Sequence, residues 1–148
     1  MSFEVSIRVV APLQQVWGAW ISAESAQGWL APRANISFEE GGAYELFWDE
    51  DPEKDSTLGC RLLKIEPLTR LVFEWQGKTE FLPLFEPPNE RTEVEVLFEG
   101  SDDGVTVVLK EKESRDLEGW DEYQAWMAHA WEYAFAQLKR HCEETKTR

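Results

Sequence analysis

Positive charge is scarce in this sequence. Lysine and arginine number 15 against 29 aspartates and glutamates, a formal net charge of −14. Such a chain repels phosphate backbones and anionic lipid heads, which excludes nucleic acid as a partner. There are only two cysteines, Cys60 and Cys142. They are too few and too far apart for a disulfide framework or a thiolate metal site, and read as reduced, inert thiols of a cytoplasmic protein. No apolar run reaches the roughly 18 residues of a membrane span. The opening MSFEVSIRVVAP has no basic start before an apolar block, so no secretory signal is expected. A glycine-rich phosphate loop and a nucleophile elbow are both missing. The two histidines, His129 and His141, fall on one helical segment about 18 Å apart along its axis and cannot share a metal. The acidic run DEDPEKD at 49–55 carries proline and lysine where a calcium loop needs oxygen ligands and glycine, and reads as a solvated hairpin tip. No metal and no cofactor are expected.

Tryptophan, by contrast, is abundant: eight in 148 residues, three of them in VWGAWISAESAQGWLAP at 16–32. Tryptophan brings a large apolar surface and one N–H donor that wants a partner when buried. Either these rings fill a core, or some of them wall a cavity.

The chain has the length of one domain, spanning residues 1–148. Phe3, Val5, Ile7 and Val9 alternate with polar residues, a half-buried strand. Pro12 then suits a helix start, and Leu13, Val16, Trp17 and Trp20 recur at helical spacing. Ser22 caps a second short helix expected to reach Trp29. Strands follow: Ile36 and Phe38 before the Gly41-Gly42 turn; Tyr44, Leu46 and Trp48; residues 58–65; Leu71, Phe73 and Trp75; Val94, Val96 and Phe98; and, past the Asp102-Asp103-Gly104 turn, Val105, Val107 and Leu109. The proline-rich segment at 81–90 reads as a loop. A long helix begins near Leu117 or Gly119 and runs to about Glu144, with Trp120, Tyr123, Met127, Trp131, Ala134, Leu138 and Cys142 as its apolar stripe. Strands flanked by helices argue an α+β fold in which the long helix lies across an antiparallel sheet.

In this order VWGAW at 16–20, Gly28-Trp29 with the Ala-Pro that follows, GGAYEL at 41–46, IEPLTRLVFEW at 65–75, TEVEVLFE at 92–99 and AWEYAFAQLK at 130–139 cover nearly the whole chain. The ordered set resembles the activator-of-heat-shock-protein-90-ATPase-homologue family, within the START-like (SRPBCC, Bet v 1-like) helix-grip superfamily. The resemblance implies a curved antiparallel sheet of seven strands, two short helices closing one end, and the C-terminal helix over the concave face. It also implies an internal cavity for an apolar small molecule, but no single chemistry. This sequence departs from the family pattern in carrying Glu111 where a histidine is frequent near the end of the last strand, and Ala130 where a glycine precedes the helix tryptophan.

The expected role is therefore a non-enzymatic binder of a small hydrophobic or aromatic molecule. Side-chain parity nominates Tyr44, Trp48, Phe73, Trp75, Val96 and Phe98 from the sheet and Tyr123, Met127 and Trp131 from the helix as its wall. Phe81 and Phe85 would sit on a loop acting as a gate. A second reading is a cyclase- or hydrolase-type enzyme. Glu111 continues the inward parity of the last strand and would move protons there, or His129 would do so from the helix. The third is a partner-binding module: a chaperone partner, which the family name suggests, although the activator resembled has a further N-terminal domain. A homodimer through Trp126, Tyr133 or an edge strand belongs to the same class.

Overall fold

The computed structural model describes residues 3–76, 78–85, 91–111 and 115–145. Strand β1 spans Phe3–Val9, and its alternation turns Val5 and Val9 inward. Pro12, extended at φ −62° and ψ 146°, stands just outside helix α1, Leu13–Ile21, whose buried face is Val16, Trp17, Ala19 and Trp20. Ser22 ends α1 and caps α2, Ala23–Ala26, its Oγ accepting from Ser25 N at 3.2 Å. Helix α2 stops three residues short of the expected Trp29. There the chain tightens into i−3 bonds, Gly28 N to Ser25 O and Trp29 N to Ala26 O. The tightening lets the Trp29 indole reach the carbonyl of Ala19 at 2.9 Å. A methyl at Gly28 would stand 2.7 Å from the His141 ring, which would have to shift to admit it.

Six more strands follow: β2 Arg33–Ile36, β3 Tyr44–Phe47, β4 Leu62–Glu66, β5 Arg70–Trp75, β6 Thr92–Ser101 and β7 Gly104–Glu111. Five pair antiparallel in the order β1-β7-β6-β5-β4, and β2 pairs antiparallel with β3. The hairpin joins the larger sheet through bridges at Ala43–Arg61 and Phe47–Ser56, with Gly41 N to Leu62 O at 2.7 Å and Leu62 N to Gly42 O at 2.8 Å. Phe38, expected within β2, lies beyond its end and is exposed. The chain folds back there through Ser37 N to Ala43 O and Glu39 N to Ser37 O. The strand expected from residue 58 begins only at Leu62, because Gly59 takes a left-handed φ of +89°.

Helix α3 is Trp120–Thr145. Gly119, at φ +91°, redirects the chain into it, and Asp121 and Glu122 in its first turn suit the helix dipole. All seven residues of the expected stripe are buried, together with Phe135 and Gln124. The C-terminal half is tied to β1 and α1: Gln15 Nε2 donates to Cys142 O at 2.7 Å, and Val10 N donates to Glu143 Oε2 at 2.8 Å. The stripe, α1 and the inward residues of β5, β6 and β7 form one buried cluster. Each large apolar side chain in it contributes about 1.5–3 kcal/mol by leaving water.

The segment expected as a loop from 81 is in part a 3-10 helix, Thr79–Phe85, with Pro83 inside it. Pro83 has no N–H to donate, so this seven-residue helix of just over two turns makes no backbone bond from that position. Residues 86–90, the rest of that expected loop, lie outside the described residues. No helix among the described residues is long and apolar enough to cross a membrane.

Candidate functional site

Strand β5 ends with Trp75, the last inward residue of its alternation. Opposite stands Trp131 from the middle of the α3 stripe, the ring centroids 5.1 Å apart. Trp48, one residue past β3, meets Trp75 edge-on at 6.2 Å. Its indole donates to Leu30 O at 3.1 Å, yet 42% of Trp48 remains exposed. Trp29 and Leu30 enter from the turn after α2, and Trp126 from the flank of α3. These residues, with Met127, Ala130 and Ala134, wall an open cavity of about 560 Å³. Five of the eight tryptophans of the chain meet there.

The polar part of the lining is Asp55, Ser56, Gln76, Lys78, His129 and Tyr133. Most of it is engaged with neighbouring protein groups. Asp55 Oδ1 accepts from Thr79 N at 3.0 Å while Asp55 N donates to Thr79 Oγ1 at 2.8 Å, a reciprocal clamp between the acidic hairpin tip and the 3-10 helix. Asp55 holds this position in the left-handed region, φ +44°, which Asp tolerates better than most residues. Gln76 Nε2 donates to Ser56 O at 3.0 Å, and Gln76 Oε1 accepts from Arg91 Nε at 3.2 Å. Lys78 Nζ lies 2.8 Å from Glu80 and 4.5 Å from the centroid of the Trp126 ring, a cation over an aromatic face. Tyr133 is 70% exposed.

The indole N–H groups of Trp75 and Trp131 are buried without an acceptor among the described residues. The same holds for Trp20 and Trp120 away from the cavity. Such donors thus occur both inside and outside the cavity, and do not mark it.

Glu111 lies elsewhere. It ends β7 with the inward parity of Val105, Val107 and Leu109, and is 0% exposed. Its carboxylate accepts from Thr92 Oγ1 and Tyr123 OH, each at 2.7 Å, and from Gln124 Nε2 at 3.5 Å. Burial raises its pKa, against the opposing pull of those hydrogen bonds and of Arg115. Phe81 and Phe85 of the 3-10 helix pack on Tyr123 at 5.4 and 5.2 Å and shield this cluster. Arg115 lies over the Phe85 and Trp120 rings and donates to Leu84 O at 2.7 Å. Both thiols are pushed up to about 12 by burial, Cys60 and Cys142 alike.

Of the wall residues expected from the sequence, Trp48, Trp75, Met127 and Trp131 line the cavity. Tyr44, Phe73, Val96, Phe98 and Tyr123 are packed in the core around it, Tyr44 donating its hydroxyl to Trp20 O at 2.7 Å. Phe81 and Phe85 are buried rather than set at the mouth. His129 lines the cavity edge with its side chain 88% exposed, 3.7 Å from Glu132. The expectation missed Trp29, Leu30, Trp126 and Tyr133 as lining residues. Trp126 and Tyr133 were legible only as aromatics off the main stripe. No group of His, Cys, Asp or Glu among the described residues is arranged to hold a metal ion.

A family model described as "Activator of Hsp90 ATPase homolog 1-like protein" matches residues 10–143. No curated protein matches the chain. Among solved structures, the protein MLL2253 from Mesorhizobium loti superposes with a TM-score of 0.77 at 16% identity, covering 98% of each chain. The Aha1 dimer from Colwellia psychrerythraea gives 0.75 at 12% identity over 97% of this chain and 96% of that one. CalU16 from Micromonospora echinospora gives 0.70 at 20% identity over 95% and 65%. At these identities the likeness is one of fold.

Proposed function

The chain belongs to the activator of Hsp90 ATPase homolog 1-like family, and from that premise we propose that it binds a small hydrophobic or aromatic molecule between α3 and the β3–β5 side of the sheet. One observation carries the reading: five of eight tryptophans converge on one cavity of about 560 Å³. A side-chain core would bury these rings completely. Instead Trp48 and Trp126 keep exposed surface beside Trp75 and Trp131, which are themselves buried. The volume falls within the roughly 300–1,000 Å³ usual for small-molecule sites. An apolar ligand gains about 25 cal/mol per Å² of surface buried, before the costs of association. Flat rings gain further from offset or edge contacts with indoles.

The test is a titration of intrinsic tryptophan fluorescence with naphthylmethanol, a neutral aromatic probe. Saturable quenching at one molecule per chain is expected. Trp48→Ala removes a half-exposed wall ring, with its packing on Trp75 and its hydrogen bond to Leu30 O, at a stability cost of about 2–4 kcal/mol, and should weaken binding about tenfold. A linear, unsaturable response, or equal affinity in Trp48→Ala, defeats the reading.

A further inference from the structure

The charge around the mouth is not balanced. The segment 49–55 that follows Trp48 carries five carboxylates, Asp49, Glu50, Asp51, Glu53 and Asp55, against one lysine, Lys54. Its last residue, Asp55, is itself a lining residue and is fixed there by the clamp to Thr79. Lys78, next to the clamped Thr79, is neutralised by Glu80, and His129 on α3 faces Glu132. Arg33, which donates to the carbonyl of Asp49, and Arg91, which donates to Gln76 Oε1 of the lining, are cations nearby; two against the loop's excess of four carboxylates leave the balance acidic. The whole chain, at −14, adds to the same field. Acidic charge beside a low-dielectric cleft concentrates cations and repels anions. The walls favour the same sign, because the faces of indole rings attract cations. The protein's own Lys78 ammonium, 4.5 Å above Trp126, is one such pair at the cavity edge.

We propose that the ligand taken by this cavity is a lipophilic organic cation: a flat or alkyl body against the tryptophans, with an ammonium-type charge toward the 49–55 loop. This rests on the cavity being a ligand site, and specifies the class of ligand. The occupant is a small molecule rather than a peptide, since a cavity of about 560 Å³ holds a few rings and no extended chain.

Three probes of one shape separate the two levels: naphthylmethyl-trimethylammonium, naphthylmethanol and naphthylacetate, titrated by calorimetry at low and high salt. The expected order is cation, neutral, anion, with about tenfold between the extremes at low salt. High salt should shrink that gap while leaving the neutral probe unchanged. The cation should displace the neutral probe competitively, one per chain. A fourfold variant, Asp49→Asn with Glu50→Gln, Asp51→Asn and Glu53→Gln, should lose most of the preference. Its fold is protected because the carboxylates of Asp49 and Asp51 accept from Asp51 N and Glu53 N, both at 2.9 Å, and asparagine keeps that acceptor; circular dichroism checks it. If the neutral probe binds but the anion equals or exceeds the cation, the charge inference falls and the binding reading stands. Cation binding that does not compete, or a preference untouched in the variant, overturns the inference as well. If none of the three binds, the cavity reading itself is lost.

Discussion

The carboxylate of Glu111 sits among three donors with no exposure to solvent. Unfolded, it titrates near the ordinary 4.5; folded, its pKa is raised, first by burial. The folded state therefore keeps the proton to higher pH than the unfolded chain. Stability from this group is complete below the unfolded pKa and is lost as pH rises through the folded one. Glu111→Gln keeps the volume and a carbonyl acceptor for Thr92 and Tyr123, but does not titrate. The stability of the native protein relative to Glu111→Gln is expected to fall as pH climbs above 4.5, nowhere more steeply than about 1.4 kcal/mol per pH unit. Urea midpoints of both proteins across pH measure this, and a flat difference would mean the carboxylate is not paying for its burial. The strand parity that made Glu111 a candidate in the sequence was informative about direction. It was silent about distance: Glu111 is shut beneath the 3-10 helix and does not line the tryptophan-walled cavity.

Among the elements, the β6–β7 hairpin and its neighbour β1 form the most regular part of the sheet, with paired residues in unbroken register. Gly104 opens β7 where β1 ends, and a methyl there would strike the carbonyl oxygen of Val9. Backbone cannot step aside as a flexible side chain can. Gly104→Ala is expected to cost about 1–3 kcal/mol, read as a lowered melting temperature with slower exchange protection lost first in the β1 amides. Helix α3 and this hairpin were plain in the sequence, because a stripe at steps of three and four and an alternation of two are local signals. The short elements were not. Helix α2 ends at Ala26 rather than Trp29, where the chain tightens into the Gly28 N to Ser25 O bond, and β4 starts at Leu62 rather than 58, after left-handed Gly59 and where Leu62 N meets Gly42 O; no period in the sequence marks either bound.

At the scale of the molecule, the excess of negative charge acts on every part of the fold. A formal charge of −14 on 148 residues repels itself most in the compact state. Sodium chloride raised from about 0.05 to about 0.5 M shortens the screening length from roughly 14 Å to about 4 Å, and should raise the melting temperature by a few degrees in a calorimetric scan. A decrease would mean that exposed pairs such as Arg8–Asp103 and Lys139–Glu143 outweigh the general repulsion. The densest acidic run, residues 49–55, follows Trp48 in the sequence, and its last residue, Asp55, lines the cavity.

By itself the sequence determined the class of fold, the family likeness and the inward faces: apolar residues at a fixed period can be buried on only one side of their element. It named Trp75 and Trp131 as inward for the same reason. Only the tertiary structure decided that Trp29, Leu30 and Trp126 join them while Tyr44, Phe73 and Phe98 become packed core. A period gives the direction of a side chain but not what stands across from it. Whether facing side chains close on one another or leave a space depends on how helix, turn and sheet meet, and no local stretch of the chain contains that geometry.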